Sequence, residues 1–107
     1  MYARMLEGNL KLEKKPEFLT KVRQEILPIL KRHKGFVDII GLENEAKPER
    51  FCILSLWHTK NDAERYERET FPKVNEIVKP FLTMPMVVNT FMVETTISEH
   101  VIAAVAA

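Results

Sequence analysis

Two stretches of this chain read as β-strands that are apolar on both faces, and this limits the fold more than any other feature. In Phe51 to Trp57 one alternating set is Phe51, Ile53, Ser55 and Trp57. The other is Cys52, Leu54 and Leu56, followed by His58. Successive strand side chains point to opposite sides of a sheet, so both surfaces of this strand require cover. Met86 to Val93 repeats the pattern, with Met86, Val88, Thr90 and Met92 on one side and Val87, Asn89, Phe91 and Val93 on the other. Two helical regions can cover one face of a small sheet. The second face is expected to meet another copy of the chain, which predicts a homodimer.

A length of 107 residues with 46% hydrophobic content fits one globular domain and excludes a disordered chain. The apolar runs are far shorter than the ~20 residues of a membrane-spanning helix. The first residues, Met1 to Glu7, lack the long apolar core of a secretion signal, so a cytoplasmic location is expected. The formal net charge of +1 gives no general reason to expect nucleic acid or a membrane surface as partner. The charge is unevenly spread: nine Lys/Arg against four Glu through Gly35, then seven Lys/Arg against eleven Asp/Glu. A solvated basic helix and a solvated acidic helix account for this division. Cys52 is the single cysteine; it is expected to be a small buried hydrophobe.

Tyr2 to Leu12 reads as a first strand, bent at Gly8. Pro16 and Glu17 suit the first turn of a helix, whose apolar stripe is Phe18, Leu19, Val22, Ile26, Ile29 and Leu30. Pro28 lies inside that stripe and removes a donor opposite Gln24, so a kink is predicted. A basic last turn through His33 and a C-cap at Gly35 end the helix. Phe36 to Leu42 is a second strand and Phe51 to His58 a third, joined by a polar loop. Thr59 and Asp62 form an N-cap pair for an acidic helix from Lys60 to about Thr70, with Ala63, Tyr66 and Phe71 on its inner side. Pro72 restarts a helix carrying Val74, Ile77, Val78, Phe81 and Leu82. Met86 to Thr95 is the fourth strand. The domain is expected to span residues 1–96, with 97–107 as a C-terminal tail. The order βαββαβ predicts an α+β, ferredoxin-like sandwich with a four-stranded antiparallel sheet.

Several segments carry a family resemblance: Arg4-Met5-Leu6-Glu7-Gly8, Glu25 to Leu30, Lys34-Gly35-Phe36-Val37, Leu54-Ser55-Leu56-Trp57 and Asp62 to Tyr66. Together they resemble the antibiotic biosynthesis monooxygenase domain family of dimeric α/β barrels, over residues 2 to about 95. The resemblance implies two sheets packed face to face in a dimer. The family includes cofactor-independent oxygenases of quinols or polyketides, haem-degrading enzymes and many members of unknown role, so the resemblance implies the fold more specifically than the chemistry. The haem-degrading branch needs an Asn late in the first strand, a Trp in the second helix and a later His. The matching positions here hold Gly8, Tyr66 and Asn75, and Asn9 is one residue out of register.

Cofactor-independent oxygenation requires a dry apolar pocket and a polar group that deprotonates or anchors a phenolic oxygen. Trp57, Phe71, Phe81 and Phe91 supply either aromatic walls or plain core. Tyr66 either projects its hydroxyl into the pocket or lies on an amphipathic rim. His58, beside Trp57, is the candidate general base. Arg4 shares a strand face with Tyr2 and Leu6, so its charge needs Asp38, Glu7 or a substrate anion as partner. Asn89 is a satisfied structural amide or a substrate contact. His33, His58 and His100 have no metal-binding spacing, and the isolated Gly8, Gly35 and Gly41 form no phosphate loop, so no cofactor is expected. Two functions follow as expectations: a monooxygenase acting on a small aromatic or quinol substrate without a cofactor, or a non-catalytic dimeric barrel that binds a small hydrophobic ligand.

Overall fold

The computed structural model describes residues 1–94. The expected C-terminal tail lies outside them. The strands are β1 (Tyr2–Asn9), β2 (Phe36–Glu43), β3 (Arg50–Trp57) and β4 (Val87–Met92). They form one antiparallel sheet in the order β2-β3-β1-β4. The helices α1 (Lys15–Lys21), α2 (Leu27–Lys31), α3 (Lys60–Glu69) and α4 (Phe71–Val78) connect them. This is the predicted ferredoxin-like α+β arrangement. Among the described residues no helix is long and apolar enough to cross a membrane.

The register sorts each strand into two faces. Arg4 pairs with Ser55 and Thr90, and Leu6 pairs with Ile53 and Val88. Phe51, Ile53, Ser55 and Trp57 therefore share one face with Arg4 and Leu6. The core holds Phe18, Ile26 and Leu30 from the first helical region, Ala63 and Tyr66 from α3, Val74 and Val78 from α4, and Trp57 from β3. The opposite face carries Met5, Leu54, Ile40, Leu42, Val87 and Phe91. The last four of these are exposed.

Pro28 acts one turn earlier than a simple kink would. Val22–Ile26 is a π-helical segment between α1 and α2, and the amide of Leu27 donates to the carbonyl of Val22. The wider turn meets the missing donor of Pro28 without a break in the helix. A bulge between Phe36 and Asp38 also changes the expected alternation in β2. Phe36 packs edge-on against Trp57, with ring centroids 5.6 Å apart. Asp38, Ile40 and Leu42 pair with Leu56, Leu54 and Cys52 on the other face. One extra residue shifts everything after it by one face.

Two glycines answer to close contacts. Gly35 has φ +85°, and a Cβ there would lie 2.2 Å from the Asp62 carboxylate. A Cβ on Gly8 would lie 2.7 Å from the Phe51 ring. The first strand stays regular at Gly8 and ends at Asn9, and β4 ends at Met92. Both are shorter than their apolar patterns suggested. Cys52 is half-buried on the open face.

Candidate functional site

The space between sheet and helices holds an inner cavity of about 30 Å³. Its walls are almost entirely apolar, formed by residues such as Leu6, Ile26, Leu30 and Val78, with Arg4, Ser55 and Tyr66 as the polar contributors. A second, open groove of about 300 Å³ lies between the first helical region and β2. Phe18, Val22, Ile39, Phe51 and Ile53 line both, so one layer of side chains separates them. Gly41 floors the groove, and nothing lies within 4 Å of where its Cβ would be. The Lys15 ammonium and the Glu43 carboxylate form an ion pair at the groove's rim.

Arg4 is the unusual group. It is 1% exposed, and its Nε and Nη2 have no hydrogen-bond partner among the described residues. Its guanidinium carbon lies 4.6 Å from the centre of the Phe71 ring and 5.1 Å from that of Tyr66. Both contacts are cation–π in geometry. The nearest carboxylate is Glu67, at 3.8 Å from Nη2, and it is half exposed. The expected partner Asp38 is on the opposite face, where Oδ1 accepts from the amide of Ile39 at 2.8 Å. Glu7 also points to that face, because it is one residue out of phase with Leu6. Neither proposed pair forms. Burial lowers the Arg4 pKa from its ordinary value, and Tyr66 and Glu67 act against the shift.

Tyr66 is buried, and α3 presents it inward one turn after Ala63. Burial pushes its phenol up to about 12, with Arg4 pulling it the other way. The hydroxyl therefore remains protonated at neutral pH, which makes it a donor and removes it as a base. Tyr66 stacks on Trp57, with ring centroids 5.0 Å apart. Trp57 is fully buried, and its indole N–H donates to Ser55 Oγ at 3.0 Å. His33 packs edge-on against Tyr66 at 5.2 Å and lies 2.6 Å from Thr70 Oγ1. Phe71 lies beneath the Arg4 guanidinium, and Phe81 packs against Phe18.

The structure thus brings together Arg4, Trp57, Tyr66 and Phe71. Phe81 sits in the same core, against Phe18, but does not line the inner cavity. Three expected site residues are elsewhere. Asn89 and Phe91 pair with Met5 and Ala3 on the open face, so both project away from the cavity. His58 is exposed just beyond β3, and its amide donates to Gly35. It is not among the residues that line the inner cavity, where a general base would have to act. Ser55, Glu67 and His33 were not singled out as site residues. The i, i+2 relation of Ser55 and Trp57 was the available signal for Ser55. Glu67 and His33 reach the site only through the packing of helices.

No protein-family model and no curated protein matches the sequence. Solved structures do match. A conserved protein from Methanosarcina mazei Go1 superposes with a TM-score of 0.73 at 19% identity, over 88% of this chain and 94% of that one. A candidate antibiotic biosynthesis monooxygenase from Nitrosomonas europaea gives 0.72 at 18% identity, over 87% and 98%. SnoaB, a cofactor-independent oxygenase from Streptomyces nogalater, gives 0.71 at 14% identity, over 87% and 92%. The fold is that of the antibiotic biosynthesis monooxygenase domain.

The residues that the haem-degrading pattern needs are not at the matching positions. The Phe51 ring fills the space above Gly8, and Asn9 continues the opposite face of β1. Among the described residues, no group of three or more His, Cys, Asp or Glu side chains is arranged to hold a metal ion.

Proposed function

We propose that the chain is a cofactor-independent monooxygenase of small aromatic or quinol-type substrates. One observation carries this reading: a small apolar cavity between sheet and helices, whose polar groups are a cation and two hydroxyls, lies one layer of side chains from an apolar groove large enough for a ring. Such a pocket excludes water and favours the ionised form of a bound phenol. An electron-rich phenolate can pass an electron to molecular oxygen without a redox cofactor. For a phenol with a free para position the overall change balances as follows. One oxygen atom becomes the new para carbonyl of a quinone. The other leaves as water with the phenolic proton and the ring proton. The substrate's four electrons reduce the oxygen.

The likeness in fold to a cofactor-independent oxygenase supports the same reading. The open sheet face, with Ile40, Leu42, Val87 and Phe91 exposed, supports a homodimer closed by two such faces. The pocket then belongs to each protomer, because it lies on the helix-covered side.

Oxygen-electrode assays with a panel of 1-naphthols that have a free para position, without flavin or metal, test the proposal. The expected result is one oxygen consumed per phenol converted. Thermal stabilisation by these compounds with no oxygen uptake would instead identify a non-catalytic, ligand-binding barrel.

A further inference from the structure

We propose that Arg4 is an oxyanion receptor, taking the ionised oxygen of a flat aromatic ligand that enters between α1–α2 and the sheet. The inference deepens the proposed function and rests on its assignment of this cavity as the ligand pocket.

A guanidinium that is 1% exposed has given up its water. Proteins ordinarily compensate such burial with hydrogen bonds to every donor. Here Nε and Nη2 have none among the described residues. Glu67 is beyond hydrogen-bond reach at 3.8 Å, and its half-exposed carboxylate is screened by solvent. Phe71 and Tyr66 lie against the guanidinium, and Tyr66 also hydrogen-bonds to it, yet Nε and Nη2 keep no hydrogen-bond partner among the described residues. Two adjacent N–H groups with a fixed direction can converge on one anionic oxygen.

The remaining polar groups fit the same ligand. Tyr66 stays protonated and offers a hydroxyl donor. Ser55 accepts from the Trp57 indole, which leaves its own hydroxyl proton free to donate. Neither carboxylate nor imidazole lines the inner cavity. The site therefore has positive charge and donors but no base, so it selects a ligand that arrives ionised or ionises against the guanidinium.

The volumes divide the ligand between two spaces. About 30 Å³ accommodates an oxygen atom and little more. The groove of about 300 Å³ is at the lower end of small-molecule pockets and is lined mainly by apolar side chains. A ring in the groove reaches Arg4 when the shared layer around Phe51 and Ile53 turns aside. The π-helical segment at Val22–Ile26 contributes Val22 to this layer, and such segments recur at functional sites.

The test is anaerobic binding of 4-nitrophenol and its methyl ether, 4-nitroanisole, to the full chain. Trp57, the single tryptophan, reports binding through fluorescence quenching, and the visible phenolate band reports ionisation. The expected result is preference for nitrophenol, with the bound fraction shifted to phenolate. Arg4→Met should reduce nitrophenol affinity by about ten- to hundredfold and leave nitroanisole unchanged. Arg4→Lys should retain part of the preference. Equal binding of the two compounds by the wild type, binding of neither, or an intact preference in Arg4→Met would overturn the inference. Should Arg4→Met not fold, the wild-type comparison and Arg4→Lys decide. Oxygen is absent, so a protein that binds phenolate through Arg4 yet consumes no oxygen would refute only the oxygenase reading. Oxygen uptake with equal binding of phenol and ether would refute only the receptor.

Discussion

The two faces of the sheet are both largely apolar, yet their aromatic side chains have different environments. On the helix-covered face, Trp57 is fully buried and stacks on Tyr66. On the open face, Phe91 has the same aromatic character and is 50% exposed. The difference arises from what lies above each face, since the strands themselves are alike. Hydrophobic pattern determines that both faces need cover. Helix placement decides which one the protomer covers itself. The covered face also contains the buried Arg4 guanidinium, whose Nε and Nη2 have no hydrogen-bond partner among the described residues. The uncovered face keeps its polar residues, such as Asn89 and Glu7, in contact with water.

The sharpest way to test this contrast is to truncate one aromatic residue on each face. Trp57→Ala removes a fully buried indole and its bond to Ser55. It should cost about 3–5 kcal/mol of folding stability, measured by urea unfolding. Phe91→Asp should leave the fold of the protomer intact, because the side chain is half exposed there. Its effect should fall on association. Each buried phenylalanine contributes about 1.5–3 kcal/mol, and a symmetric interface loses two of them. Dimer affinity should weaken by more than about a hundredfold, read by light scattering across a dilution series. A stable monomer in the wild type would remove the dimer and leave the open face unexplained.

Much of this arrangement could be seen in the sequence. The alternation in Phe51–Trp57 placed Trp57 and Ile53 on one side, and the helical spacing of Ala63 and Tyr66 placed both inward. The assignment of Phe91 and Asn89 to the pocket failed for a physical reason. Period-two alternation identifies two faces without saying which one the helices cover. The suggested Arg4–Asp38 pair failed because the bulge after Phe36 moves Asp38 to the other side. A bulge leaves little trace in residue pattern. The long reach from Arg4 to Glu67, 3.8 Å, is also hidden in the sequence, since it depends on how α3 packs on the sheet.

A smaller effect should appear with pH and belongs to the covered face. The Tyr66 phenol is held at about 12 in the folded chain, against an unfolded value near 10. The folded state then binds the proton more tightly. Its contribution is complete below about pH 10 and is lost as pH rises toward about 12. The slope is about 1.4 kcal/mol per pH unit within that window. Burial also raises the Cys52 thiol, and this half-buried group adds a loss of the same sign at alkaline pH. Tyr66→Phe should remove the tyrosine part alone. Urea midpoints for both proteins at about pH 9 and 11 should therefore converge as pH rises.

The smallest expected effect separates the two faces most cleanly. Thr59 caps α3: its Oγ1 accepts from the Asp62 amide at 3.1 Å and donates to Asp62 Oδ2 at 2.8 Å. Thr59→Ala removes both bonds and should cost about 1 kcal/mol. The helix it caps supplies Ala63 and Tyr66 to the covered face, and no part of α3 belongs to the strands of the open one. Stability should fall while the dissociation constant of the dimer stays unchanged, the reverse of Phe91→Asp. If Thr59→Ala weakened association as much as folding, the two faces would be energetically coupled through the sheet, and the division of labour between them would fail.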